Sequence, residues 1–455
     1  MILKAKRTLL VVNYDFPPAG GAGIKRCLKF IKFLPEYGWD CVVLTVKDGN
    51  HTVTDASLLA EVGAGVPVYR AFSFEYFFTG DKDNSSRGPS RERVGKPGPQ
   101  RLMRLCLGGL YKFFGQFIRL PDSRVLWVPA AILASAKIMW KNRFDAIYAT
   151  GPTFTNLLLG ALIKTISGKP LVVDFRDAWI SDPMFVLNQE KRQLLKISTM
   201  LEKFVVVHAD RVVSTNPFVT KDFQTRYKQF LNAKFDTIYN GYDLEDSKFG
   251  QELVPREPGT FTIVYTGILY GERTPKYFLQ ALRRVLDERP DIASKLRVLF
   301  VGTCQEFLDG KRIEDYLDEY RLRNIVRSTG HVSRKASLAY QGMADTLLLI
   351  VGIVPKEMEL TYGLSGKVFD YLLSRKPILT VANGGATREF ITENGIGRVF
   401  YHEDTEGIKN YLIDAYEKFT QGIKESIPDM SSYCKFEFSA LAKRMANHLN
   451  EILGN

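Results

Sequence analysis

The sequence predicts an α/β protein built from two successive doubly wound, mainly parallel units. Short apolar runs of strand length alternate with helix-length amphipathic segments along most of the chain. The alternation stops over a polar, irregular stretch at 241–259 and then begins again. The length, 455 residues, exceeds what one hydrophobic core organises.

The elements follow in order. Arg7 to Tyr14 reads as a buried strand, Ile24 to Glu36 as a helix with Cys27, Leu28, Ile31 and Leu34 on one face, and Trp39 to Val46 as the next strand, which makes a βαβ opening. Further strands are expected at Ala146 to Thr150, Pro170 to Phe175, Arg211 to Thr215 and Asp236 to Tyr239, with a helix at Glu190 to His208. Beyond a boundary placed near residue 245, strands are expected at Phe261 to Thr266, Leu296 to Val301, Thr346 to Ile350, Pro377 to Val381 and Gly397 to Phe400, with a helix at Pro275 to Glu288. A first domain at 1–245, a second at 246–432 and a terminal segment at 433–455 result.

Composition narrows the class. Five cysteines far apart, with no C-x-x-C pair, argue against a disulfide framework or a zinc knuckle and fit a reducing cytosol. The apolar run Leu9 to Val12 is too short for an export signal, and no segment reaches the roughly 20 apolar residues of a membrane span. The expectation is a cytoplasmic protein, soluble or peripheral on a membrane.

The net charge of +12 is uneven: between residues 80 and 120 nine basic residues face three acidic ones, half of the whole excess. Asp81 to Gln100 has the Gly, Ser, Pro and charged composition of a loop. Arg101 to Leu120 reads as an acid-free helix of aromatic, aliphatic and basic residues. Within this 80–120 insertion, the helix at 101–120 is compatible with docking on anionic lipid headgroups or with burial in a core.

Two constellations carry chemistry. Phe16-Pro17-Pro18-Ala19-Gly20-Gly21-Ala22-Gly23 lies between the first strand and first helix, where glycines such as Gly20 and Gly21 admit close backbone approach and the helix start favours an anion; a plain tight turn reads equally from these residues. Ser365-Gly366-Lys367-Val368-Phe369-Asp370 reads as a helix start whose amides hold a diphosphate, with Lys367 adding charge and Asp370 accepting from ribose hydroxyls, or else as a simple capped helix. Asp174-x-x-Asp177 is a poor metal motif, and a salt bridge of these acids with Arg176 is expected instead; no metal or other cofactor is expected.

Pro17-Pro18-x-Gly20-Gly21 with Arg26, Val172 to Trp179, Tyr265-Thr266-Gly267 and Ser365 to Leu372 together resemble the family-four nucleotide-sugar glycosyltransferases, enzymes of the GT-B fold with two Rossmann-like domains facing a cleft. The likeness spans nearly the whole chain. It implies a nucleotide-sugar substrate on the second domain and a glycan or lipid-linked glycan acceptor on the first. It also implies transfer with retention and a terminal helix, Phe438 to Leu453, that returns to the first domain.

Residue by residue, the resemblance matches Asp370 to the ribose-binding acid, more often Glu in the family, and the segment through Gly330-His331-Val332 to the surroundings of the base. Arg273 is the basic residue assigned to the diphosphate, where a guanidinium grips two oxygens, although its composition also suits a solvated loop. Tyr362 stands where many members carry a glutamate, with Glu357 and Glu359 upstream. Arg176 and Asp177 stand where members often place a histidine. The residues assigned to catalysis are therefore Asp177, Arg176, Arg273 and Lys367.

Two other classes remain open from sequence: a nucleotide-sugar epimerase of the same fold, and a non-catalytic scaffold of a polysaccharide-assembly complex. A nucleic-acid binder is not expected, because no recognition motif accompanies the charge.

Overall fold

The computed structural model of the chain describes residues 6–20, 22–47, 49, 51, 54–77, 120–182, 192–251, 254, 256–354, 356, 363–423, 425 and 429–454. The chain divides into two compact units, one comprising Met1–Ile238 with Ala442–Asn455 and the other Tyr239–Leu441. Each is a doubly wound α/β unit, as the alternation predicts.

In the first unit the strands are β1 (Arg7–Val12), β2 (Trp39–Val46), β3 (Val68–Ala71), β4 (Ala146–Gly151), β5 (Leu171–Phe175), β6 (Arg211–Ser214) and β7 (Phe235–Thr237). They form one parallel sheet in the order β3-β2-β1-β4-β5-β6-β7. The helices are α1 (Ala22–Phe33), α2 (Val128–Asn142), α3 (Phe154–Ser167), α4 (Arg192–His208) and α5 (Pro217–Arg226). Leu9 pairs with Cys41 on one side and Ala146 on the other, so β1 is central and apolar on both faces. Val12, Leu44, Ile147, Val173 and Phe175 fill the core, each worth roughly 1.5–3 kcal/mol of burial.

The second unit repeats the plan with β8 (Phe261–Thr266), β9 (Leu296–Val301), β10 (Val326–Gly330), β11 (Thr346–Ile350), β12 (Ile378–Val381) and β13 (Arg398–Phe400), ordered β10-β9-β8-β11-β12-β13. Its helices are α6 (Lys276–Glu288), α7 (Ile313–Glu319), α8 (Arg334–Met343), α9 (Lys367–Ser374), α10 (Ala386–Asn394) and α11 (Thr405–Thr420). The last helix, α12 (Phe438–Glu451), belongs to the second unit as far as Leu441 and to the first from Ala442.

In both sheets the first strand of the unit is the point from which the order runs out in two directions. The crevice at the carboxyl ends of β1 and β4, and likewise of β8 and β11, is where open α/β sheets bind ligands. β3 and β10 are strands the sequence reading lacks; the expected insertion at 80–120 falls, but for Leu120, outside the described residues.

Candidate functional site

The second sheet offers the more developed site. β8 ends at Thr266, and Gly267 follows in a left-handed conformation (φ 114°) with Gly302 beside it (φ 137°). A side-chain carbon on Gly302 would collide with the Gly267 carbonyl, and one on Gly267 would meet the end of Lys367, so the two glycines hold open a notch that Lys367 enters. The Lys367 ammonium donates to the Tyr265 hydroxyl at 2.6 Å and lies 4.1 Å from the centroid of that ring. The Tyr265 hydroxyl donates onward to the Ile268 carbonyl at 2.9 Å, which fixes it as the acceptor toward Lys367.

Burial, and next the positive charge of Arg273, hold the Lys367 pKa well below the ordinary lysine value of 10.5. Arg273 itself lies over the Tyr270 ring at 4.7 Å. The two cations assigned from sequence are therefore neighbours, with repulsion between them that an anion would relieve. Ser365 and Gly366 lead into α9, the Ser365 amide donating to Thr387 at 3.1 Å while Gly366 takes the N-cap position. Val332, half-buried, precedes α8.

Asp370, on the first turn of α9, meets a partner the sequence reading lacks. Arg334 at the start of α8 reaches both Asp370 oxygens at 3.4 and 3.5 Å and donates to Asp246 at 2.6 Å. Burial presses the Arg334 pKa down, but Asp370 and Asp246 more than offset it and hold the guanidinium firmly charged. The signal for this bridge was a lone arginine after His331-Val332-Ser333, one of many in a basic chain.

In the first unit, Arg176 and Asp177 follow β5 and are both half-buried. The Arg176 guanidinium packs against Gly23 at the start of α1, where an added side-chain carbon would push it aside. Gly20 is half-buried ahead of that helix; Gly21 lies outside the described residues, as do Glu357, Glu359 and Tyr362. The expected Asp174–Arg176 bridge is not formed. Asp174 points into the sheet interior and pairs with Arg26, Nε to Oδ2 at 2.7 Å and Nη2 to Oδ1 at 3.0 Å, while Tyr148 donates to it at 2.5 Å. Strand alternation sends Asp174 inward, and Arg26 on α1 is the cation within reach there.

At the carboxyl end of β1 a second group gathers. Asp15 contacts His51 at 3.2 Å and accepts from Thr153 at 3.3 Å. Burial would raise the Asp15 pKa, but the His51 hydrogen bond and the charges of His51, Arg124 and Arg176 bring it below the usual value. Beside it Arg124 donates to Glu75 at 2.5 Å, and Tyr14 donates to the same carboxylate at 2.9 Å. Among the described residues no group of three His, Cys, Asp or Glu side chains gathers as metal ligands do.

Residues 93–246 match the family model described as Glycosyltransferase Family 4. No curated protein has a matching sequence. Among solved structures, HepE of Anabaena in complex with UDP-glucose is similar over 98% of this chain and 99% of its own (15% identity, TM-score 0.59). Sucrose-phosphate synthase of Thermosynechococcus elongatus is similar over 98% and 99% (14% identity, TM-score 0.61). WaaG, a glycosyltransferase involved in lipopolysaccharide biosynthesis, is similar over 98% and 100% (12% identity, TM-score 0.51). At these identities the structures establish the shared two-domain α/β fold.

Proposed function

We propose, from the premise that the chain is a glycosyltransferase of the GT-B fold with a Glycosyltransferase Family 4 segment at residues 93–246, that it moves a sugar from a nucleotide-diphosphate donor to a glycan or lipid-linked glycan acceptor, with retention. The observation that carries the donor assignment is the pairing of Lys367 with Arg273 beside the Gly267–Gly302 notch at the crevice of the second sheet. HepE, in its complex with UDP-glucose, supports a nucleotide sugar as ligand.

In this reading Lys367, Arg273 and the amides opening α9 take the diphosphate, Asp370 takes the ribose hydroxyls and the segment at Val332 flanks the base. Cleavage of the sugar–phosphate bond leaves negative charge on the diphosphate and positive charge on the sugar. Cations already fixed against the phosphate oxygens stabilise that separation more than they stabilise the ground state. Two side-chain cations supply the charge, and no metal is assigned. The acceptor is assigned to the crevice of the first sheet, where Asp15, His51 and Arg176 gather and Asp177 follows. We place the enzyme on the cytoplasmic side, free or peripheral to the membrane.

Thermal-shift screening against UDP, GDP, ADP and their sugars tests the donor assignment, since a ligand of the folded state raises its apparent stability. One nucleotide class should raise the melting temperature in the native chain and not in Arg273→Ala or Asp370→Ala. No shift from any of them would remove the proposal, and release of an altered free sugar without acceptor would point to an epimerase.

A further inference from the structure

We infer that the outer face formed by α2, α3 and α4 of the first unit docks on a bilayer containing anionic phospholipid. The three helices pack side by side over β2 to β5 and run antiparallel to the strands, so their last turns lie level with the amino ends of the sheet. At that level each presents a bare apolar side chain: Trp140 on α2 is 81% exposed, Ile166 on α3 66%, and Val207 on α4 42%. Leu231, in the turn ahead of β7, is 82% exposed and extends the band. With helices roughly 10 Å apart, the row spans about 20–30 Å.

The helices that carry the band are basic. α2, α3 and α4 contain a single acid, Glu202, which is fully buried and bonded to Arg226 and Tyr227. Lys137, Lys141 and Lys203 are exposed and have no carboxylate within salt-bridge reach among the described residues. At the amino ends of the neighbouring strands, Asp145 accepts from the Thr8 amide at 2.8 Å, Asp210 accepts from the Leu171 amide at 2.7 Å and pairs with Lys164, and Glu451 pairs with Arg211. On neighbouring α5, Asp222 is held by Arg226. A tryptophan flanked by lysines and aliphatic tips matches the interfacial zone of an anionic bilayer: the ring and aliphatic groups enter among the headgroups and the lysines meet phosphate. A water-soluble protein partner would more commonly be met by charges of both signs.

The tryptophans make the test direct. The chain has four, and Trp39, Trp127 and Trp179 are fully buried, so quenching of emission by iodide reports on Trp140. The full chain is titrated with vesicles of phosphatidylcholine alone and of phosphatidylcholine mixed with phosphatidylglycerol. The mixed vesicles should shift Trp140 emission to the blue and shield it from iodide, and the neutral ones should not. Charge reversal by Lys137→Glu, Lys141→Glu and Lys203→Glu together should weaken cosedimentation by roughly tenfold or more, and Ile166→Ser with Leu231→Ser should abolish the blue shift while leaving the melting temperature unchanged. Three results would overturn the proposal: Trp140 emission indifferent to anionic vesicles, cosedimentation that survives charge reversal, or shielding of Trp140 by a concentration-dependent dimer without lipid.

Discussion

The ammonium of Lys367 rests 2.6 Å from the Tyr265 hydroxyl, and burial, followed by the charge of Arg273, depresses its proton affinity. A lysine with a lowered folded-state pKa is protonated in the unfolded chain and less so in the folded one. Stability therefore rises with pH between the lowered value and 10.5, the reverse of a paired surface lysine. A diphosphate restores the proton, so its binding takes up protons from solvent. Affinity for the nucleoside diphosphate should fall with rising pH by up to about tenfold per unit within that window. Titration calorimetry in buffers of different ionisation enthalpy measures the uptake, and Lys367→Arg, always charged, should bind with no uptake.

The glycine pair gives a second expectation. Gly267→Ala must displace the end of Lys367 and adopt an unfavourable positive φ, so it should weaken nucleotide binding at least as much as Lys367→Met. Gly302→Ala drives backbone against backbone and should lower the melting temperature as well. Parallel melting and nucleotide-binding curves separate the two effects.

Arg334 bridges Asp246 and Asp370, and removing it takes away the cation that both carboxylates share. Arg334→Leu should destabilise the second unit by about 2–3 kcal/mol, below the full cost for a deeply buried pair because the guanidinium retains some exposure. Chemical denaturation measures this. Asp246→Asn with Arg334 intact should leave Asp370 in place and cost less.

In the first unit, Arg26 and Asp174 are 2% and 0% exposed, and neither is replaceable alone. Asp174→Asn should cost about 3–5 kcal/mol by removing the charge that compensates the buried guanidinium, whereas Arg26→Met with Asp174→Leu should recover much of the loss. Urea unfolding of both variants decides between a structural pair and a ligand-binding one.

The central strands were legible because they are apolar on both faces: Trp39 to Val46, Phe261 to Thr266, Leu296 to Val301 and Thr346 to Ile350 have the expected bounds. β3 and β10 are edge strands with half-exposed, polar sequences such as Val68-Tyr69-Arg70-Ala71, which give no such signal. The neighbourhood of Lys367 and Arg273 follows from two motifs placed at one sheet end. The partners Arg26–Asp174, 148 residues apart, and Arg334–Asp246, 88 apart, depend on which basic residue the fold brings near, and a chain with 62 lysines and arginines offers too many choices. His51 escaped because its partner Asp15 lies 36 residues away in the sequence.

The first unit is not a continuous length of chain. Its closing piece is α12, where Asn450 accepts from Arg7 at 3.1 Å and from Trp39 at 3.2 Å, and His448 meets Asp236 at 2.6 Å. On a translating ribosome the seven strands of that unit emerge long before these fourteen closing residues do. The amino-terminal sheet must therefore wait, with the ground meant for α12 still open, until the whole of the second unit has been synthesised, which makes the nascent first unit the stage at which chaperone engagement matters most.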